Sequence, residues 1–151
     1  MPTIVAVLCL GSLCADPAAG QPPQSGFHAA LAASDAAQSG FDAKKGRALY
    51  TAHCSSCHGA NGEGQAGTYP ALKGSGVVTR ADATKHIRVV LDGLHGGKAG
   101  GVLYADPMPA FGSVLDDTDI ADIIDFERSS WGNHGKLVTA AQVAVERGRS
   151  R

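Results

Sequence analysis

What this chain is short of narrows it before any motif is read. Aromatic residues make up 5% of its 151 residues, with one Trp. A domain so poor in large rings has limited apolar surface of its own to bury. No apolar run approaches the roughly 20 residues that a bilayer-spanning helix needs; the run from Ile4 to Leu13 has ten. Basic charge is not in excess either, since the formal net charge is −1, and nothing in the chain reads as a nucleic-acid binder. No strand of any length is evident. Methionine is the scarcest resource, with Met1 and Met108 alone, and there are four cysteines.

The first stretch reads as a targeting segment. Small residues follow the apolar run, and Ala18-Ala19-Gly20 before Gln21 offers a cleavage site, so residues 1–20 are expected to be a signal peptide. Its n-region lacks the usual positive charge, because positions 1–20 hold no Lys or Arg. Cys14 could suggest a lipid anchor, but bulky Leu13 stands where such signals use small residues. Residues 21–40, rich in Ala, Gln, Ser, Gly and Pro, read as a flexible arm. Residues 41–148 then form one domain and 149–151 a tail. Without residues 1–20, 13 acids and 13 bases remain.

Cys54-Ser55-Ser56-Cys57-His58 carries the most specific chemistry in the chain. C-x-x-C-H is the spacing for covalent attachment of haem: two thiols add to the two porphyrin vinyl groups, and the adjacent His becomes an axial iron ligand. Two other uses of a C-x-x-C pair compete. Structural zinc wants four protein ligands, and the remaining cysteines, Cys9 and Cys14, lie in the expected signal peptide. A thioredoxin-like pair needs a βαβ context with a strand just upstream, whereas the segment from Lys44 to Tyr50 reads as helix. Haem is the favoured reading.

The sixth iron position points to Met108. It stands in Pro107-Met108-Pro109-Ala110-Phe111, where prolines stiffen an extended segment. A thioether binds iron weakly and must be held in place. His95, in Gly93-Leu94-His95-Gly96-Gly97, is the one rival; His28, His53, His86 and His134 read as surface residues.

These pieces occur in a familiar order: Gly46-Arg47-Ala48-Leu49-Tyr50, Cys54 to His58 with Gly59 and Gly62, Tyr69-Pro70-Ala71-Leu72, Met108-Pro109-Ala110-Phe111, and Arg128-Ser129-Ser130-Trp131-Gly132-Asn133. The chain resembles the monohaem class I cytochromes c over about residues 40–148. Bacterial periplasmic members, and cytochrome domains or subunits of quinoprotein and molybdenum dehydrogenases, are the most similar. The resemblance implies an all-α, cytochrome c-like fold of three to four helices around one covalent haem c. It implies that the Pro70 carbonyl accepts the Nδ1 proton of His58, and that Gly46 lets the N-terminal and C-terminal helices cross closely. Haem attachment of this type resembles a process completed outside the bacterial cytoplasm, which agrees with export to the periplasm. Arg88, Arg128 and Trp131 are candidates for contacts to the haem propionates.

Helical periodicity places a first helix from Asp42 as cap to about Ala52, and a second from Arg80 to Asp92 with Ile87, Val90 and Leu91 inward. A last runs from Asp117 to Ser130, with Asp116 as cap, Asp119 completing a carboxylate capping box, and Ile120, Ile123, Ile124 and Glu127 on one stripe. Six acids (Asp116, Asp117, Asp119, Asp122, Asp125, Glu127) crowd this helix. They read first as a solvated face and second as a docking dipole for a redox partner.

Ligation by His58 and Met108 closes the iron to substrate, so the expected function is outer-sphere electron transfer rather than catalysis. The protein would serve as a carrier or as the electron-accepting subunit of a dehydrogenase. Its expected partners are redox proteins (a periplasmic dehydrogenase, a terminal oxidase or another cytochrome). A haem with a labile sixth position, peroxidase-like or gas-sensing, is the alternative.

Overall fold

The computed structural model describes residues 40–99 and 102–150, so the expected signal peptide, nearly all of the arm, Cys9, Cys14 and His28 lie outside the described residues. Asp42 opens helix α1 (Ala43–His53) by accepting the backbone N–H groups of Lys44 and Lys45 on its carboxylate, the capping expected of its residue type. A single further turn, α2 (Ser55–His58), follows at once.

Helix α3 (Thr84–Asp92) starts four residues later than periodicity alone suggests. Two contacts account for this. Asp82 accepts the Thr84 N–H at 2.9 Å, a local turn that competes with helix, and the Val78 and Arg80 carbonyls are held by the Arg128 guanidinium. Beyond α3 the chain forms a small antiparallel hairpin, β1 (Gly97–Ala99) with β2 (Val102–Tyr104), which pairs Gly97 with Tyr104 and Lys98 with Leu103. Three-residue strands in a Gly-rich segment leave too short an alternation to read in sequence.

Helix α4 (Asp117–Ser129) carries the expected stripe, with Ile120, Ile123 and Ile124 each at most 1% exposed. Burying such side chains contributes about 1.5–3 kcal/mol apiece. Asp116 caps its start by accepting the Asp119 N–H at 2.8 Å. The expected capping box is only half made, because the Asp119 carboxylate turns to Lys45 at 2.7 Å instead. Helix α5 (Ala140–Arg149) was not anticipated. Thr139 and Gln142 form a reciprocal capping box at its start, and Ser150 Oγ donates to Asp92 Oδ2 at 2.9 Å.

The described residues therefore hold five helices and one short hairpin, an all-α architecture with more helices than expected. α1 lies across α4, while α3, α4 and α5 enclose a core that includes Ile87, Val90, Leu91, Leu115, Val138 and Val143. Gly46 makes the first crossing possible, because a Cβ there would run into the Asp122 carbonyl oxygen and come within 3.1 Å of Phe126 Cβ. Among the described residues no helix is long and apolar enough to cross a membrane.

The acidic helix is a solvated face only in part: Asp116 is exposed and Asp117 and Asp119 are half-buried. Asp122, Asp125 and Glu127 are at most 3% exposed. Asp122 accepts the Asp42 N–H and pairs with Lys45, Asp125 accepts the Val138 N–H, and Glu127 meets His86. Asp117 pairs with Arg147 at 2.7 Å. Each of the six side chains thus serves as helix cap or as partner for a neighbouring segment.

Candidate functional site

Cys54 ends α1, its N–H bonded to the Tyr50 carbonyl, and begins α2 by accepting the N–H groups of Cys57 and His58. Residues at i, i+3 and i+4 of a helical turn share a face, so this one turn presents two sulfurs and one imidazole together. All three residues line a single cavity of about 380 Å³. The cysteines are half-buried and unbridged.

The loop after α2 is folded back to hold His58. Gly64 donates to the His58 carbonyl at 2.7 Å, and Leu72 and Lys73 both donate to the Gly62 carbonyl. Gly64 takes φ +66°, and a Cβ on it would lie 2.6 Å from the Tyr69 carbonyl oxygen and 2.7 Å from Ala71 N. That close approach brings the Pro70 carbonyl oxygen to 2.9 Å from His58 Nδ1. A carbonyl can only accept, so Nδ1 carries the hydrogen and Nε2 is the free, basic nitrogen of a ring that lines the cavity. Tyr50 adds a strut by donating from its hydroxyl to the Gly59 carbonyl at 2.6 Å.

Met108 lines the same cavity, and it is held there by backbone. Met108 and Leu94 exchange hydrogen bonds of 2.8 and 3.0 Å as an isolated antiparallel bridge. Phe111 and Gly112 donate to the Val90 and Leu91 carbonyls, both at 3.0 Å, which pins the segment to the end of α3. Gly93, at φ +71°, leaves no room for a Cβ against the Met108 carbonyl oxygen.

The other candidates fall elsewhere. His95 is exposed and does not line the cavity. Arg128, a candidate propionate contact, is fully buried and gives its hydrogens to the carbonyls of Lys136, Val78 and Arg80 at 2.5, 2.7 and 2.7 Å. Arg88 pairs with Glu146 at 2.7 Å on the α5 side. Trp131 packs against Tyr50 and Phe126, with its ring over Gly62. None of the three lines the cavity.

His86, expected on the surface, is 3% exposed and lines the cavity beside Glu127. His53 lines it too, with its ring edge against Phe111. Position could have signalled both buried groups: His86 precedes Val90 by one helical turn, and Glu127 continues the isoleucine stripe of α4.

The cavity does not suit the competing uses of a C-x-x-C pair. Burial, and then the neighbouring Glu127 and Cys57, push the Cys54 thiol far above its ordinary range, the reverse of what a reactive dithiol needs. Among the described residues no group of three or more His, Cys, Asp and Glu is placed to hold a metal ion by itself.

A family model described as cytochrome c matches residues 43–131. The chain belongs to the cytochrome c family. Over 107 residues it is 37% identical to the gluconate 2-dehydrogenase cytochrome c subunit of Pantoea cypripedii, an alignment covering 70% of this chain and 24% of that one. It is 33% identical over 102 residues to the alcohol dehydrogenase (quinone) cytochrome c subunit of Gluconobacter oxydans (strain 621H), covering 68% of this chain and 21% of that one. The fructose dehydrogenase cytochrome subunit of Gluconobacter japonicus is 35% identical over 104 residues, covering 65% and 21%. The chain spans a fifth to a quarter of the length of these curated relatives.

Family membership brings covalently bound haem c and electron transfer. The cavity fits that group: it offers two thiols, one imidazole of defined tautomer and one thioether, set in walls that include Val77, Val89, Val90 and Phe111.

Proposed function

We propose that Cys54 and Cys57 would bond haem c through their sulfurs, that His58 Nε2 and Met108 Sδ would hold its iron, and that the domain passes single electrons without catalysis at the iron. The observation that carries this reading is that one cavity gathers both cysteines, His58 and Met108, the last being the only methionine among the described residues. When bound, the haem supplies a one-electron couple at its iron.

The chain's own residues set the conditions for that couple. The Pro70 carbonyl holds the His58 tautomer, so the imidazole presents a lone pair and not a hydrogen. The Leu94–Met108 bridge keeps a weak ligand in place through backbone rather than through its own affinity. A neutral thioether and apolar walls both favour ferrous iron and raise the potential. Contacts to the propionates from Arg88, Arg128 or Trp131 would require their present partners to be given up, so these residues serve the fold first.

The partners we propose are those of an exported bacterial electron carrier or electron-accepting subunit: a periplasmic dehydrogenase upstream, and a terminal oxidase or another cytochrome downstream. The names of the similar proteins, all cytochrome subunits of dehydrogenases, support the upstream half.

The test is optical. The ferric protein should show the far-red sulfur-to-iron charge-transfer band, Met108→Ala should abolish it, and the ferrous wild type should resist carbon monoxide. A ferric protein without that band whose ferrous form binds carbon monoxide readily would be the ligand-binding alternative.

A further inference from the structure

His86 and Glu127 form a buried polar pair in the cavity wall, separate from the four residues proposed to hold the haem. His86 Nε2 lies 2.8 Å from Glu127 Oε2, both residues are 3% exposed, and both line the cavity. An ionised carboxylate can only accept, so Nε2 carries the hydrogen. The second ring nitrogen, Nδ1, is buried with no partner among the described residues. A neutral His86 therefore holds an unused lone pair, and a protonated one becomes a cation set against an anion. Charge is costly in such a place unless it is balanced, so the proton count of the pair responds to any other charge in the same cavity.

We propose that His86 and Glu127 together form a proton site coupled to the haem electron, binding a proton more tightly when the iron is ferrous than when it is ferric. This rests on haem c occupying the cavity. One electron arrives from the redox donor and reduces ferric to ferrous iron; a proton from solvent adds to His86 Nδ1, and reoxidation returns both. Ferric iron carries one more positive charge, which favours the net-negative form of the pair, neutral His86 with ionised Glu127. Coupling is reciprocal, so the protonated pair holds the electron more tightly and the potential falls as pH rises.

Other charged and titratable groups surround the pair, and the variants below separate its contribution from theirs. From α1, Tyr50 is pushed far up by burial and then by the Glu127 charge, so it stays protonated, and Cys54 has no ionisable hydrogen once it is a thioether. On α3, Lys85 lines the cavity, while Arg88 is paired with Glu146 of α5. On α4, Asp125 accepts the Val138 N–H away from the cavity wall and is raised by burial to about 7, within the range titrated below, while Arg128 is committed to three carbonyls. His53, Lys98 and Asp106 line the cavity from the remaining segments.

The experiment is a redox titration of the purified haem-containing protein from about pH 5 to about pH 8, where histidine changes charge. The wild-type potential should fall with pH, with a limit of a tenfold change in the equilibrium constant per pH unit, about 59 mV for one electron. His86→Gln keeps a donor toward Glu127 without a titrating ring and should flatten the profile. Glu127→Gln keeps an acceptor for Nε2, removes the negative charge, and should both raise and flatten it. Two variants that keep the wild-type profile would overturn the proposal and leave any pH dependence to other groups.

If a variant does not load haem, redox-difference infrared spectra of wild-type protein labelled with carbon-13 at Glu decide. A Glu band that shifts on reduction supports the coupling; none overturns it. A chain without a covalent haem spectrum would instead defeat the reading in the preceding subsection, so the two failures are separable.

Discussion

The His58 side and the Met108 side of the cavity are held by opposite means. On the first, the chain grips the proposed ligand directly: His58 is bonded through its own ring to the Pro70 carbonyl, and its two cysteine neighbours sit on the same helical turn. On the second, the side chain of Met108 is left to the cavity, and control is exerted through four backbone hydrogen bonds around it. The difference follows ligand strength. An imidazole needs only its orientation fixed, whereas a thioether must be delivered by a segment with few other places to go. Damage to the first side should therefore cost the whole fold, and damage to the second should release one ligand.

The largest expected effect tests the first half of that contrast. The Cys54→Ala, Cys57→Ala double variant lacks both sulfurs proposed to bond the haem, and a domain with so few aromatic residues should then lose much of its interior. Its far-ultraviolet circular dichroism should collapse toward that of an unfolded chain, and a native-like helical spectrum would refute the dependence.

Gly93→Ala tests the second half. It places a Cβ against the Met108 carbonyl at a backbone φ of +71°, strain of about 1–3 kcal/mol. The charge-transfer band of the Met108 side should then disappear at lower urea than helical signal does. If both signals are lost together, the two sides are not independent.

Gly46→Ala acts on the crossing that carries both. The added methyl meets backbone of α4 that cannot move alone. Overpacking of about 1–3 kcal/mol should outweigh the helix-propensity gain of about 1 kcal/mol, seen as a lower urea midpoint with an unchanged spectrum of the folded form.

The smallest effect is one of slope. Burial raises the Asp125 carboxyl from 3.8 to about 7, although the Val138 N–H and the Arg128 charge pull it down. Between those values the unfolded chain has already lost the proton that the folded chain keeps, so this group makes stability fall as pH rises through that window. Asp125→Asn still accepts from Val138 and should remove a slope that cannot exceed about 1.4 kcal/mol per pH unit. An unchanged profile in urea melts across the same window would show that Asp125 is ionised throughout.

What could be read in the sequence was whatever is local. The haem-attachment motif is five consecutive residues, Pro107 and Pro109 flank the only candidate sulfur, and Asp42 and Asp116 sit where helices begin. Burial of Ile120, Ile123 and Ile124 followed from spacing. Helix α5 carried its own signal in Thr139 and Gln142, but its buried stripe is only Val143 and Glu146, too thin for periodicity to find. The His86–Glu127 pair was hidden for a different reason: its members stand 41 residues apart, and each looks polar until the other is beside it. The partners of Arg128 were hidden in the same way, since two of the three carbonyls that occupy it lie about 50 residues away.

That last side chain has a consequence for how the molecule comes apart. One guanidinium joins the stretch around Val78, the stretch around Lys136 and the end of α4. If any one of them peels away, the ion is left in a dry place with its hydrogens unmet. Fraying from the chain's middle or from its tail should stop at this clasp, and the three strands of peptide that it gathers should let go as one.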